Sequence, residues 1–389
     1  MKHSELTFKM KSLRKEKKTL ILSMLIMLFF PLQMLPCLIL KIAHGDCVLA
    51  GNNEDIDNPL TKIWFEPPKK GKYGITYFGY SVNYPQGGMN DQGLFFDAVA
   101  GYKTDWRPSP KRLDYAGNLN RKVMEECATV EEAISVYNKY NKSSFSNARY
   151  LLADRTGASA IVGWIDGELK FIRDKGGFQA IGVNEDTAAS MLRSIKEQKD
   201  AVRVDDVKAV LQACHVEGRY PTQYSNICDL KNNVVYMFLF HDYSTFVKFD
   251  ANEEFKKGEH HYRLLPLFPD NVRARKADEK YRQHLLNQHQ KVIENPKERA
   301  SGHGWRELSL LGLELLDYQE HKEAIAVLKL TAERYPDDWR SHSNLAFSYM
   351  TAGEIELAVK SYRKVLELDP GNQNALKAIR ELTQKKDAN

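Results

Sequence analysis

The sequence predicts an α+β fold, in which helices cover two sheets, followed by an α-helical repeat segment. Two groups of short, alternating apolar runs occupy residues 37–100 and 148–250, and residues 116–140 between them have helical spacing. Near residue 304 the alternation gives way to a pattern with a period of 34 residues. Groups of strands with helices between them favour a sandwich of two sheets with helices outside.

The first hairpin is predicted over Cys37 to Asp55. Two apolar runs flank a turn at His44-Gly45-Asp46, which is typical of a β-hairpin. The second run ends in the polar cluster Asn52-Asn53-Glu54-Asp55. Folding the hairpin back would bring Asn52 and Asp55 beside Cys37. A cysteine on a strand, with a carboxylate and amides on the neighbouring strand, indicates a centre that cleaves amides.

The remaining elements of the first domain follow from turn residues and spacing. Gly87 to Asn90 suggest a tight turn before a strand at Leu94–Ala98, and Thr129 begins a helix with a capping box. We also expect a three-strand meander from residue 148, a helix at Val204–Cys214, and three strands from residue 224.

The C-terminal pattern predicts tetratricopeptide repeats over residues 304–389, with a closing helix at 372–386. Residues 266–303 are highly charged and are predicted to be a connector with a solvated helix. Two repeats and a closing helix are few for an independent solenoid, so we expect them to dock on the first domain. The second unit has small and aromatic residues at the repeat spacing: Leu345, Ala346, Tyr349, Gly353, Ala358, Tyr362 and Pro370.

The positive charge is confined to the N-terminus. The net charge is +5, and residues 1–18 carry seven Lys or Arg against two Glu, which leaves 49 basic and 49 acidic residues in the remainder. A neutral body gives no support to nucleic-acid binding. The basic start precedes an apolar run at 19–35, which predicts that residues 1–36 are an export signal, a membrane anchor or a pro-segment. The protein is therefore expected to be exported (periplasmic or extracellular) or membrane-anchored.

The five cysteines show no C-x-x-C pairing, so we expect neither a zinc site nor a cofactor. Buried free thiols are favoured over disulfides. Cys47 is the rival nucleophile nearest to Cys37, but no polar cluster follows it closely.

Several stretches together resemble the choloylglycine hydrolase / penicillin V acylase family, and most of all its acyl-CoA:6-aminopenicillanate acyltransferase-like branch of linear amide C–N hydrolases. The resemblance covers about residues 37–265. It implies an αββα sandwich of the N-terminal-nucleophile (Ntn) class, whose mature chain starts at the catalytic cysteine. The matching stretches are Cys37, Asn52–Asp55, Pro59–Pro67, Pro85–Gly93 and Tyr224–Leu230.

The resemblance also implies residue roles. Cys37 would be the nucleophile, and its free α-amine would be the base once residues 1–36 are removed. Asp55 would orient that amine or thiol, and Asn184 would donate to the oxyanion. Asn52 occupies a position where bile-salt-type members carry arginine, and Arg193 matches a further family arginine.

These observations favour a cysteine Ntn-type amidohydrolase that cleaves linear, non-peptide C–N amides of small molecules through a thioester on Cys37. An acyltransferase that uses the same thioester stays open. So does a catalytically silent, membrane-anchored scaffold, since Pro36 is unfavourable for signal peptidase and Ala100 falls where related enzymes carry a polar oxyanion donor. The repeats would offer a groove to a protein or peptide partner, or would form a structural lid.

Overall fold

The computed structural model describes residues 37–80, 84–294 and 304–387. The strands of these ranges form two antiparallel sheets. In chain order they are β1 (Leu38–His44), β2 (Cys47–Asp55), β3 (Lys62–Glu66), β4 (Ile75–Tyr80), β5 (Tyr84–Asn90), β6 (Phe95–Ala100), β7 (Ala148–Ala153), β8 (Ser159–Ile165), β9 (Glu168–Arg173), β10 (Phe178–Gly182), β11 (Thr222–Asp229), β12 (Val234–Leu239), β13 (Asp242–Asp250) and β14 (His260–Arg263).

The helices fall into two sets, those that cover the sheets and those that form the C-terminal segment. They are α1 (Leu119–Glu126), α2 (Val130–Lys139), α3 (Glu185–Gln198), α4 (Val204–Cys214), α5 (Ala251–Phe255), α6 (Val272–Glu294), α7 (Trp305–Asp317), α8 (His321–Arg334), α9 (Trp339–Thr351), α10 (Ile355–Leu368) and α11 (Gln373–Asp387).

One sheet has six strands in the order β10-β1-β2-β11-β12-β13, and the other has eight in the order β14-β3-β4-β5-β6-β7-β8-β9. The predicted first hairpin is present, with His44 paired to Cys47 and Leu38 to Asn53. Gly45 occupies its turn at φ 63°, where an added Cβ would lie 2.6 Å from the Cβ of Ala201. Glycine is therefore needed both for the turn conformation and for the close approach.

Alternate residues of β1 face two different cores, as the two-residue period of a strand requires. Ile39 packs between the sheets, in one core with Ile63 and Phe78. Leu38 points to the opposite side, where it packs with Leu192 of α3. β1 is thus buried on both faces.

The eight-stranded sheet is covered on its outer face by α1 and α2, whose apolar residues pack in a third core with Trp64, Tyr77 and Phe96. The capping box at the start of α2 is present: Glu132 N donates to Thr129 Oγ1 at 3.3 Å, and Thr129 N donates to the Glu132 carboxylate at 3.1 Å. With α3 and α4 outside the other sheet, the layers run helix, sheet, sheet, helix. The predicted α+β class and its αββα sandwich are confirmed.

The C-terminal helices pack as consecutive antiparallel pairs. Small residues at the crossings allow the close approach: a Cβ on Gly312 of α7 would lie 2.4 Å from Leu328 Cγ of α8, and Ala346 and Ala358 are fully buried between α9 and α10. The closing helix predicted at 372–386 is α11.

The helical segment docks on the sandwich through polar contacts at the end of the loop between β2 and β3. Asn58 Nδ2 donates to Glu314 Oε1 at 2.7 Å, and Lys62 Nζ lies 2.6 Å from Asp317 Oδ1. Tyr281 of α6 donates to the other oxygen of Glu314 at 2.9 Å. The expectation that the repeats dock on the first domain is therefore met.

The structure differs from the sequence analysis in three places. Residues 185–198 form a helix that the sequence analysis did not predict. Gly87–Asn90 lie within strand β5, and the turn follows at residues 91–93. The helix predicted near residues 272–292 is present as α6, but it is not solvated all round, since its Leu285 and Val292 are buried in one core with α7 and α8.

We predict that Asn58→Ala lowers the free energy of unfolding by about 1–3 kcal/mol, because the Glu314 carboxylate loses a buried donor and Leu60 N loses its acceptor on Asn58 Oδ1. Urea unfolding would measure the change. Asn147→Ala, at an exposed asparagine, is the matched control. Equal stabilities of the two variants would contradict the docking role of Asn58.

Candidate active site

The hairpin register brings Cys37 to the end of β2. Cys37 directly precedes β1, and Leu38 pairs with Asn53, so the start of one strand lies beside the end of the other. The Cys37 backbone N donates to Asp55 Oδ2 at 3.1 Å. The expected proximity of the two residues is therefore observed, and the carboxylate contacts the main-chain nitrogen of the cysteine.

Asp55 has a second donor on the neighbouring strand. Thr222 Oγ1 of β11 donates to Asp55 Oδ1 at 2.5 Å, so both carboxylate oxygens are fixed. Burial raises the pKa of Asp55 to about 6, against the lowering effect of the hydrogen bonds from Thr222 and Cys37. Asp55 is thus a positioned carboxylate that is ionised at neutral pH.

The next residue back along β2, Glu54, points to the other face of the sheet, towards the Cys37 thiol. Asn52 Nδ2 donates to Glu54 Oε2 at 3.3 Å, and the neighbouring Asn52 amide and Cys37 thiol both act to lower the pKa of this carboxyl. Burial raises the pKa of Glu54 well above its ordinary value, and the negative charges of Asp97 and Asp55 raise it further. Glu54 therefore tends to hold a proton inside the inter-sheet core.

Asp97 of β6 faces Glu54 from the other sheet and has no exposed surface. Its Oδ1 accepts from Ala98 N at 2.7 Å, but its Oδ2 has no partner among the described residues. Burial raises the pKa of Asp97 to about 8. Two carboxyl groups in one dry core cannot both ionise, so the pair retains at least one proton at neutral pH.

The environment disfavours the Cys37 thiolate. The side chain is 4% exposed, and burial raises the pKa of the thiol well above its ordinary value, with Glu54 and Asp55 adding to the effect. A thiol in such a setting stays neutral until a base accepts its proton in the same step as attack. The site thus requires a base within reach of the sulfur.

A chain of side chains continues from Asn52 along the inter-sheet face of β11. Asn226 Nδ2 donates to Asn52 Oδ1, and Cys228 Sγ donates to Asn226 Oδ1 at 3.7 Å. The hydroxyl of Tyr224 is also buried on this face and has no partner in the part of the chain that the structure describes. Asn52 is therefore a positioning residue for Glu54.

Asn184 lies close to the Cys37 main chain, but its side chain is engaged elsewhere. Val183 N donates to Cys37 O at 2.9 Å, which fixes the end of β10 beside the cysteine. Asn184 adopts φ 58° at the start of α3, and its Nδ2 donates to Cys214 O at 3.2 Å, at the end of α4. An oxyanion role would require the amide to leave Cys214.

Arg193 does not lie near Cys37. It is exposed on α3, with its guanidinium carbon 5.9 Å from the centre of the Phe178 ring. Phe178 pairs with Ile42, whereas Gly182, at the other end of β10, pairs with Leu38 beside the site. Arg193 therefore stands over the far end of that strand, on the outer side of the sheet.

Two carboxyl groups of the site were not singled out from the sequence. Glu54 was noted only as part of the polar cluster. Because adjacent residues of a strand point to opposite faces, its position next to Asp55 could have indicated that the two carboxyl groups face opposite sides of the sheet. Asp97 stands between apolar residues in a strand, a position where a charged residue is rarely buried without a partner. Nothing in the sequence around Thr222 indicates that its hydroxyl donates to Asp55.

The described residues contain no group of three or more His, Cys, Asp or Glu that could hold a metal ion. No helix in that part of the chain has the length and hydropathy to span a bilayer, and the apolar run at 19–35 lies outside it. The five cysteines are free thiols.

The fold and the site define a four-layer αββα sandwich with a cysteine at the start of its first strand, joined to a helical repeat segment. The repeat is confirmed for its second unit: residues 339–372 match the family model described as Tetratricopeptide repeat. No curated protein matches the chain.

The solved structures that are similar to the chain include the following three. A variant of conjugated bile acid hydrolase from Clostridium perfringens has a TM-score of 0.47 at 16% identity, with 58% of this chain and 96% of that chain covered. Penicillin V acylase from Agrobacterium tumefaciens has a TM-score of 0.44 at 16% identity, with 59% of this chain and 91% of that chain covered. The Caenorhabditis elegans N-acylethanolamine-hydrolyzing acid amidase ortholog has a TM-score of 0.39 at 12% identity, with 58% of this chain and 99% of that chain covered. Identities this low say nothing about substrate.

We predict that the protein is more stable at pH 5 than at pH 8. Because the folded-state pKa of Asp97, about 8, exceeds its unfolded value, the native state binds more protons, and stability is lost as pH rises from about 4 through 8. Each unit of pKa shift corresponds to about 1.4 kcal/mol. Asp97→Asn should flatten this dependence in urea unfolding measured at both pH values.

The matched control for Asp97→Asn is Asp166→Asn, at an exposed turn position with φ 52°, which asparagine tolerates. It should leave the pH dependence of stability unchanged. A slope that survives in Asp97→Asn would show that the carboxyl pair does not share its protons as described.

Proposed function

We propose that the protein is a cysteine Ntn-type amidohydrolase that cleaves linear, non-peptide C–N amides of small molecules through a thioester on Cys37. The observation that carries the proposal is the 3.1 Å hydrogen bond from Cys37 N to Asp55 Oδ2. In a chain cut before Cys37 that nitrogen is an α-amine with a pKa near 8. A carboxylate that already holds the nitrogen would then orient the base.

The proposed chemistry uses one residue as nucleophile and base. The α-amine accepts the thiol proton as sulfur attacks the amide carbon, and the resulting ammonium gives that proton to the leaving nitrogen as the C–N bond breaks. Water then attacks the thioester as the α-amine accepts a proton from it; the C–S bond breaks, the acid is released, and the ammonium returns the proton to the sulfur. The raised pKa of the Cys37 thiol makes such a local base necessary.

The oxyanion needs a hydrogen-bond donor that moves into position during the reaction. Asn184 is next to the Cys37 main chain, but its amide now donates to Cys214 O. We propose that substrate binding draws this amide to the developing oxyanion, where such a donor is worth about 3–4 kcal/mol. Arg193 has no part in this proposal, because it stands over Phe178.

Export or membrane anchoring through residues 1–36 belongs to the same proposal. Maturation at the Pro36–Cys37 bond would leave the sandwich without that segment. The tetratricopeptide segment would present a groove to a protein or peptide partner, as its repeat type suggests.

The state of the mature N-terminus tests the proposal most directly. We predict that intact-mass analysis of the exported protein gives a chain beginning at Cys37, and that a thiol-directed acyl probe labels it. Cys37→Ala should abolish labelling, whereas Cys47→Ala, at the other cysteine of the hairpin, should retain it. A labelling-incompetent chain that keeps residues before Cys37 would support the silent scaffold instead.

Added amine acceptors distinguish hydrolysis from transfer. With an N-acyl amide substrate, we expect the free acid as product whether or not an amine is present. Accumulation of a new amide on Cys37-dependent turnover would establish the acyltransferase.

We predict that Asp55→Asn lowers kcat/KM by about 100-fold or more, because the amide still fills the space but holds the α-amine without charge. The activity of the native protein should also fall as the pH drops below about 8, because the protonated α-amine cannot act as the base, and loss of the Asp55 charge should move this acid limb to lower pH. A pH–rate profile of both proteins is the measurement. An unchanged acid limb in Asp55→Asn would assign that limb to another group.

A further inference from the structure

A second concave site lies on the outer face of the eight-stranded sheet, beneath α1 and residues 141–144. It is a cleft of about 630 Å³. Four of its aromatic residues belong to the core between this sheet and the helices α1 and α2, whereas Cys37 belongs to the core between the two sheets. The cleft is therefore separated from the candidate active site by the sheet itself. Its aromatic residues are Trp64, Tyr77, Phe96, Tyr115 and Tyr150.

Lys142 lines this cleft with a cation that lacks a counter-charge. Its Nζ lies 4.8 Å from the centre of the Tyr150 ring. Within the part of the chain that the structure describes, no carboxylate oxygen lies within 4.0 Å of it. Burial alone lowers the pKa of Lys142 to about 7, with no neighbouring charge contributing. A lysine held in this way gains much from an anion placed beside it.

The other charged groups of the cleft already have partners. Arg121 pairs with Glu66 of the cleft wall and with Glu125, Lys72 pairs with the same Glu125, and Glu259 at the rim lies 3.6 Å from Lys69. These three cations balance the three carboxylates, so the unbalanced charge of the cleft is that of Lys142.

The floor of the cleft also holds an unpaired hydroxyl. Tyr77 is 2% exposed, and its OH has no hydrogen-bond partner among the described residues. Its ring lies 5.6 Å from that of Trp64, which is 7% exposed, so both rings are almost wholly buried. Tyr115, which also lines the cleft, is 38% exposed and offers area to a flat ring.

We propose that this cleft binds a small organic anion that carries a flat ring, an aromatic carboxylate or sulfonate, with the anionic group on Lys142 and the ring against Tyr115. The volume suits a ligand of this size. The site binds without reaction and is independent of the Cys37 centre.

Isothermal titration calorimetry of the full chain with naphthalene-2-sulfonate tests the proposal, with neutral naphthalene-2-sulfonamide as the uncharged analogue. We expect one saturable site for the sulfonate and at least 10-fold weaker binding of the sulfonamide. Lys142→Met should weaken sulfonate binding at least 10-fold and remove the preference between the two probes. Cys37→Ala should bind as the native protein does.

Lys139→Met is the matched control, because Lys139 Nζ also lies over a tyrosine ring, 5.4 Å from that of Tyr140, but outside the cleft. It should leave binding unchanged. Ser143→Trp, at an exposed position of the cleft wall, should block binding and keeps the test decisive if Lys142→Met does not fold. Absence of saturable binding, or equal affinity in native protein, Lys142→Met and Ser143→Trp, would overturn the proposal.

Discussion

The hydrogen bond between the Cys37 nitrogen and Asp55 is the contact on which the candidate site depends. It exists because the two strands of one hairpin pair in a single register, so that the start of β1, where Leu38 pairs with Asn53, lies beside the end of β2. A slip of one residue would turn every side chain of β2 to the opposite face, and Asp55 would exchange places with Glu54. The cores on both faces of β1 and β2 prevent that slip, because each accepts only its own set of apolar side chains.

The two faces of β2 give its two carboxyl groups different properties. Asp55, on the side of the helices, is held by Thr222 and by the cysteine nitrogen and stays charged near neutral pH. Glu54 points between the sheets, where burial and Asp97 favour its protonated form. Adjacent residues of one strand thus supply a charged anchor for the nitrogen and a protonated neighbour for the sulfur. This division keeps the thiol neutral until a base acts on it.

The repeat segment is connected to this site through the loop that leaves β2. Asn58 lies three residues after Asp55 and donates to Glu314 of the first repeat helix, while Lys62, at the start of β3, pairs with Asp317. The same loop therefore carries the end of the candidate catalytic strand and the docking contacts of the helical segment.

The sequence by itself determined the elements whose signals are local: the hairpin and its turn, the Thr129 capping box, the helix Val204–Cys214 and the tetratricopeptide period. It also placed Cys37 beside Asp55, since a short turn leaves one way to fold the chain back. Tertiary structure decided what depends on distant strands: the burial of Asp97 against Glu54, the contact of Thr222 with Asp55, and the diversion of the Asn184 amide to Cys214. Charge interactions and hydrogen bonds between the two sheets leave no periodic pattern in the sequence, because they form only when the layers pack together. The proximity of Cys37 and Asp55 could thus be predicted from the sequence, whereas the fold sets the protonation states of the two residues.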